Sequence, residues 1–286
     1  MSATAAALPL GAWHVEPGVL LGLVTWSLGY TWLATRRWRV RRRFAPLRAA
    51  SFATGVLLIG VALCSPLDAT ADDGSLTAHM LQHELLGLLG PALLVLGLDA
   101  QLTAPVTRLV IRPALRGARS AVVLRALTSP RLALGAYVGV SVLWSLPGGY
   151  ALAADNELAH VAAHASLISA GCLLWLATLQ PLPSLHRCGP WTRVLLLGCA
   201  GALGATVAAA LIWLPAPLYD AQAPDVLGLG VTADQRLAGA LMMAVEMPLL
   251  LGAAAWAVVS AAARTRLPVL FPTPLTSDTK GGHADA

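Results

Sequence analysis

Seven stretches of mostly apolar residues run through this chain. Each is about 20 residues long, enough to cross the roughly 30 Å hydrocarbon core of a bilayer as a helix. We place them at 17–35, 48–66, 79–98, 131–150, 157–178, 194–214 and 236–260. Apolar residues make up 57% of the sequence and charged residues only 12%, a composition far from that of soluble domains. Because lipid offers the backbone no hydrogen-bonding partners, the predicted fold is an all-α polytopic membrane helix bundle of about seven transmembrane helices.

The arginines predict the orientation of this bundle, because loops rich in Lys and Arg remain in the cytoplasm. Most of them follow spans one and three: Arg36, Arg37, Arg39, Arg41, Arg42, Arg43, Arg48, Arg108, Arg112, Arg116, Arg119, Arg125 and Arg131. Most acidic residues fall in the opposite loops. The sequence therefore predicts an N-terminus outside and a cytoplasmic C-terminus. Residues 1–266 are expected to form the seven-span membrane domain, and residues 267–286, rich in Pro, Thr, Ser and Gly, a disordered cytoplasmic tail.

Charge and cysteine content argue against two classes of function. The net charge of +5 comes mainly from arginines beside the spans, where topology and anionic lipid head groups account for it. We therefore predict a lipid bilayer around the chain and no nucleic-acid partner. The four cysteines include no Cys-x-x-Cys pair, which disfavours thiol–disulfide chemistry and a cysteine-based copper chaperone.

Four histidines indicate the chemistry more directly. His79 and His83 open span three, and His160 and His164 open span five. A spacing of four residues puts both members of a pair on one helix face, about 6 Å apart along the axis. The two spans run in the same direction, so all four imidazoles are expected at one depth near the outer face. A single interfacial histidine usually bonds a backbone carbonyl or a lipid phosphate, but two matched pairs within spans favour a metal site.

Four further side chains could complete that site. Asp68 follows span two and Asp234 precedes span seven, which puts both carboxylates near the outer end if spans three, five and seven are neighbours. Met80 and Met242 add thioether sulfurs, which favour Cu(I) over zinc. The candidate metal ligands are His79, His83, His160, His164, Asp234, Asp68, Met80 and Met242.

An ordered set of motifs covers most of the chain from about Ser51 to Met243. It comprises Ser65-Pro66-Leu67-Asp68, His79-Met80-Leu81-Gln82-His83, Pro91, the His160 to His164 pair with Gly171 and Trp175, and Asp234-Gln235 with Ala238-Gly239 and Met242. This pattern resembles the multi-span CtaG family of caa3-type cytochrome c oxidase assembly factors. The inner half of span seven departs from it at Glu246-Met247-Pro248, so Glu246 inherits no role from the resemblance.

The resemblance implies a multi-pass protein of the bacterial inner membrane that helps to mature the oxidase, with copper delivery as its task. We accordingly expect copper to be held on the periplasmic side. The recipients would be cytochrome c oxidase subunits or another copper chaperone. Such a carrier is not an enzyme.

Two other functions stay open at this point. The first is a haem-binding or haem-handling membrane protein with bis-His ligation, which needs one histidine from each of two helices. Two histidines about 6 Å apart on one helix cannot serve separate parallel haems, so half of the set would have no role. The second is a membrane enzyme with a metal–water centre, which would use the same donors but lacks an obvious acid or base in a deeper substrate cavity.

Overall fold

The computed structural model describes residues 13–14, 16–41, 45–182, 188–219 and 229–270, and every regular element in these ranges is helical. The helices are α1 (Pro17–Arg41), α2 (Pro46–Cys64), α3 (Pro66–Asp72), α4 (Leu76–Glu84), α5 (Gly90–Leu96), α6 (Ala104–Val106), α7 (Arg112–Arg116), α8 (Ala118–Leu127), α9 (Pro130–Ser145), α10 (Pro147–Asp155), α11 (Glu157–Leu179), α12 (Pro190–Trp213) and α13 (Val231–Leu270). Two π-helical turns, Leu85–Leu89 and Thr107–Ile111, join α4 to α5 and α6 to α7. The predicted all-α class is confirmed.

Six of the described helical segments are long and apolar enough to cross a membrane. They are Pro17–Arg39, Pro46–Cys64, Leu76–Leu96, Glu157–Leu179, Pro190–Trp213 and Val231–Ala263. These segments correspond to predicted spans one, two, three, five, six and seven. Helix α13 continues to residue 270, past the predicted end of span seven at 260 and the predicted start of the tail at 267. Residues 271–286 of that tail lie outside the described residues.

Predicted span four is not one straight helix. The sequence prediction placed it at 131–150, but α9 ends at Ser145 and Leu146 is extended, with φ −75° and ψ 144°. The cause is Pro147, which disfavours the helical conformation of the residue before it and starts a new helix, α10. With only 16 residues, α9 reaches the length of a span only together with α8, to which it is bent by 48°. The described residues therefore contain six candidate spans, or seven if this bent pair counts as one.

Span three is the most buried of the candidate spans, and its helix is interrupted by a π turn. Pro91 has no backbone N–H and its ring crowds the preceding turn, so a regular α-helix cannot continue through it. Helix α11 packs closely against the interruption. A Cβ at Gly171 would overlap the Gly87 carbonyl, and the Trp175 indole N–H donates to the Leu88 carbonyl at 3.0 Å. These contacts fix the position of the second histidine helix relative to the first.

The two ends of the bundle differ in chemistry. At one end, the Arg37 guanidinium lies 2.6 Å from the Asp99 carboxylate, which Arg48 also approaches at 3.5 Å. At the other end, the His14 backbone N–H donates to the Cys64 carbonyl, and the chain turns into the short helix α3. The arginine-rich connections thus lie at the opposite end from the N-terminal turns of α4 and α11, where the histidines are.

Candidate metal centre

The two histidine pairs face each other across the contact between span three and α11. Ring centroids are 4.2 Å apart for His79 and His83 and 4.3 Å apart for His160 and His164. The pairs meet at His83 and His164, whose rings are perpendicular and 6.3 Å apart. Helix α13 packs on another side of α4. Span three therefore contacts both span five and span seven, and the four imidazoles form one cluster.

Asp68 completes a group of donors that could hold one ion. One carboxylate oxygen of Asp68 and one nitrogen each of His160 and His164 all lie within 4.8 Å of one another. No other combination of His, Cys, Asp and Glu within the described ranges meets this criterion. Small side-chain rotations would bring the three donors to the distance of about 2 Å at which imidazole and carboxylate bind a metal. Both residue types suit copper as well as zinc and iron.

The Asp68 carboxylate is held from two sides. The Gln82 amide donates to one of its oxygens and, at 2.9 Å, to the Ala62 carbonyl, while the His14 Nε2 lies 2.9 Å from the other oxygen. Burial raises the pKa of Asp68, and the Asp72 carboxylate raises it further, whereas the Gln82 hydrogen bond and His14 act in the opposite direction. Outer-shell partners of this kind fix the orientation of a ligand.

Asp72 stands one helical turn after Asp68 on α3 and reaches the same cluster. Its carboxylate lies 3.8 Å from the His160 Nε2. Burial raises the pKa of Asp72, an effect that the nearby His160 partly offsets. Two carboxylates of α3 therefore approach the imidazoles of α11.

A cleft of about 1000 Å³ gives access to this cluster. His79, His160 and His164 line it, and its walls include apolar side chains of α1 and α11, such as Trp26 and Ile168. Its acidic lining residues are Glu16, Asp68, Asp72, Asp73, Asp155 and Glu157. The donors are therefore reached through a negatively charged opening, which favours cations.

Asp234, a predicted ligand, is placed differently. Its carboxylate accepts hydrogen bonds from the backbone N–H groups of Leu76 at 2.7 Å and Thr77 at 3.3 Å, and from the Ser75 hydroxyl at 3.4 Å. The first amides of a helix have no partner within the helix and carry the positive end of its dipole. Asp234 of α13 thus caps α4 and fixes the start of the helix that carries the first histidine pair. It is not part of the Asp68 group.

The two predicted sulfur ligands lie apart from the Asp68 group. Met80 and Met242 pack in one buried cluster with Leu76, Leu211 and Tyr219. They line a separate, smaller cavity together with His83. The eight predicted ligands are therefore divided: three form the donor group, His79 lines its cleft, Asp234 caps α4, and the remaining three, His83, Met80 and Met242, line the smaller cavity.

Sequence reasoning missed His14, Asp72 and Tyr150. His14 was assigned no role, and no local pattern links it to Asp68. Only its position just before span one, on the side of the histidines, could have suggested the contact. Asp72 had a readable signal, because a spacing of four residues from Asp68 puts both on one face of a helix. The Tyr150 ring meets His79 edge-on at 5.0 Å because α10 folds back after the break at Pro147, which was not anticipated.

Comparison with known families identifies the family of this chain. The model of the cytochrome c oxidase caa3 assembly factor family matches residues 28–264, which is most of the chain. The chain belongs to this family. The match includes every predicted ligand from Asp68 to Met242, whereas His14 lies outside it. Searches of curated proteins and of solved structures gave no significant match.

Proposed function

We propose that this caa3 oxidase assembly factor carries copper at the outer end of its helix bundle. Asp68, His160 and His164 would bind the ion, and His79 would offer a further imidazole from the wall of the same cleft. The supporting observation is the convergence of the three donor atoms within 4.8 Å. The ion is cargo in this proposal, so the chain acts as a carrier and not as an enzyme.

Transfer to a recipient requires an accessible ligand set, and the cleft supports this. His160 keeps 23% of its side chain exposed, while His164 is buried. A partner could therefore approach from the His160 side without unfolding α11. The six acidic side chains that line the cleft would attract copper ions and the basic surface of a recipient. We propose cytochrome c oxidase subunits or another copper chaperone as that recipient.

The proposed location is the bacterial inner membrane, with the metal site on its periplasmic side. The arginine-rich end, where Arg37 and Arg48 meet Asp99, would face the cytoplasm in accordance with the positive-inside rule. The histidine end would then face outward, with the N-terminus outside and the C-terminus in the cytoplasm. This orientation places the donors where copper enters and where an outward-facing recipient domain could dock.

The experiment is metal analysis of the detergent-purified protein, prepared without oxygen and loaded with copper, beside a His160→Ala/His164→Ala variant. His186→Ala is the control, since it removes an imidazole from a loop predicted to be cytoplasmic. Copper, zinc and iron are counted per chain, and a visible absorption spectrum is recorded for each sample.

We expect copper in the wild type and the control, and loss of at least one equivalent from the double variant. Copper that is retained in full by the double variant would exclude these histidines as ligands. Iron with a haem spectrum would replace the proposal with the haem-handling alternative. Size-exclusion profiles of the variants show whether any loss reflects misfolding.

A further inference from the structure

A second cavity adjoins the histidine cluster at His83 and lies between α4 with its π turn, α9, α12 and α13. Its volume is about 50 Å³. Sites for organic ligands usually enclose about 300–1,000 Å³, and one water needs roughly 10–15 Å³. The cavity therefore admits an ion or a few waters and excludes a cofactor. Its donor-bearing lining residues are Met80, His83, Glu84, Tyr137, Met242 and Glu246.

The helical register explains why these donors meet. Met80, His83 and Glu84 have the spacing i, i+3, i+4, which presents them on one side of α4, and Met242 and Glu246 are one turn apart on α13. The opposite helix, α12, provides space for the second carboxyl. A Cβ at Gly204 would overlap the Glu246 carboxyl group, and Gly204 also lines the cavity.

The two carboxyls are buried without a cationic partner. Glu84 and Glu246 are 7% and 3% exposed, and the Glu84 Oε2 has no hydrogen-bond partner among the described residues. No Lys or Arg of the described chain lines the cavity. Such carboxyls must either stay protonated or share a cation, and the unpartnered Glu84 oxygen leaves an acceptor available for one.

The other donors indicate which cation. Thioether sulfur selects soft ions such as Cu(I), and imidazole also binds copper well. His83 is partly buried and lines this cavity, and its ring centroid lies 4.2 Å from that of His79, with the two ring planes tilted by 51°. The cavity thus adjoins the outer donors through one histidine pair.

We propose that this inner cavity binds one Cu(I) ion through the thioethers of Met80 and Met242 and the imidazole of His83. One of the two carboxyls, Glu84 or Glu246, balances the single positive charge of Cu(I) when it is ionised, and the other keeps its proton. The identity of the metal rests on the proposed copper function, but the inner donor set shares no residue with the outer group of Asp68, His160 and His164. Copper held here is shielded from water and from competing ligands, while the outer group exchanges it with partners.

The test is an anaerobic titration with Cu(I) against a chromophoric chelator, combined with X-ray absorption at the copper edge, on the detergent-purified full-length protein. The inner site is removed by Met80→Leu/Met242→Leu, because Leu conserves the volume of Met. The outer site is removed by His160→Ala/His164→Ala. Met247→Leu is the matched control, since Met247 belongs to α13 but does not line the cavity.

We expect about two Cu(I) equivalents in the wild type and in the control, with sulfur among the copper neighbours. The methionine variant should lose one equivalent and the sulfur signal, whereas the outer variant should retain one equivalent that is bound by sulfur. Glu246→Gln, which keeps the shape of the side chain, should weaken the inner site at least about tenfold.

The outcomes separate the two proposals. A sulfur signal that persists in the methionine variant, or full copper binding by it, overturns the inner site and leaves the outer one standing. The inner site is also overturned if the outer variant loses all copper and the wild type shows no sulfur signal. If the methionine variant alone loses copper, the inner site stands and the outer ligand set is wrong. Copper binding unaffected by either variant overturns both.

Discussion

The role of Asp234 can be decided by replacing it with Ala and with Asn. Its carboxylate accepts from two backbone amides and one hydroxyl at the start of α4, and the Leu76 residue there is only 3% exposed. Leaving a buried amide unpaired costs about 1–3 kcal/mol. Loss of the favourable charge–dipole interaction adds about 0.3–1 kcal/mol. We therefore expect Asp234→Ala to lower the free energy of unfolding by about 1.5–4 kcal/mol, and Asp234→Asn, which keeps one acceptor oxygen, by about 1–2 kcal/mol.

Unfolding in mixed detergent–SDS micelles measures the loss, and hydrogen exchange at the Leu76 and Thr77 amides locates it. Asp155→Asn is the control, because it removes an exposed carboxylate at the end of α10 and should change stability by less than about 0.5 kcal/mol. Asp234→Asn should also bind copper as the wild type does if the proposed site is correct, since a cap positions the histidine helix without touching the ion. The capping role would be refuted if the two amides exchanged in Asp234→Ala at the same rates as in the wild type. Loss of copper from the folded Asn variant would refute it as well.

Two other substitutions test how the spans are held together. Asp99→Asn removes the negative charge of the group that accepts a 2.6 Å hydrogen bond from Arg37 and should cost about 1–2 kcal/mol of unfolding free energy at pH 7. Burial would raise the pKa of Asp99, but a backbone amide and Arg37 hold this pKa below its ordinary value. The stabilisation by Asp99 is therefore fully present above the ordinary pKa, and it is lost as pH falls through the lower pKa of the folded state. A stability gap between Asp99→Asn and wild type that persists in strong acid would contradict this. Gly171→Ala should lower the free energy of unfolding by about 1–3 kcal/mol, because its Cβ would overlap a main-chain carbonyl. Gly198→Ala is the control and should be neutral, since a Cβ there has no neighbour within 4 Å. Equal effects of the two substitutions would exclude the close helix contact.

Hydropathy was sufficient to predict the class of fold and most spans, because the length and polarity of a membrane helix are set by the bilayer itself. The exception was span four, where 131–150 looked like one apolar run. Mean hydropathy over a window of residues is not sensitive to backbone conformation, and Pro147 forces Leu146 out of the helical conformation. The consequence was more than a boundary error. The break redirects the chain into α10 and brings Tyr150 against His79 at the histidine end of the bundle.

The histidine cluster could be predicted because two helix pairs with the same spacing and direction leave few alternatives for their depth. The partners of Asp68 could not. Its contact with His14 joins positions 54 residues apart, and neither periodicity nor topology specifies which acidic residue a histidine meets. Asp234 was assigned to the metal for a related reason. A carboxylate close to the histidine end can bind either a metal ion or a helix N-terminus, and only the position of α4 distinguishes the two roles.

The family motifs acquire a common explanation from the contacts of their non-ligand members. Gln82 ties the first histidine helix to Asp68 and to the end of α2, and Trp175 ties the second to the π turn. Gln235, which is 2% exposed, donates to the Leu211 carbonyl and accepts from the Leu218 amide, which joins α13 to the end of α12. Donor atoms that converge within a few ångströms require helices whose relative positions are fixed to a similar tolerance. The motifs therefore combine the proposed ligands with the hydrogen bonds that position them, and loss of such a positioning residue should alter metal affinity more than the number of ions bound.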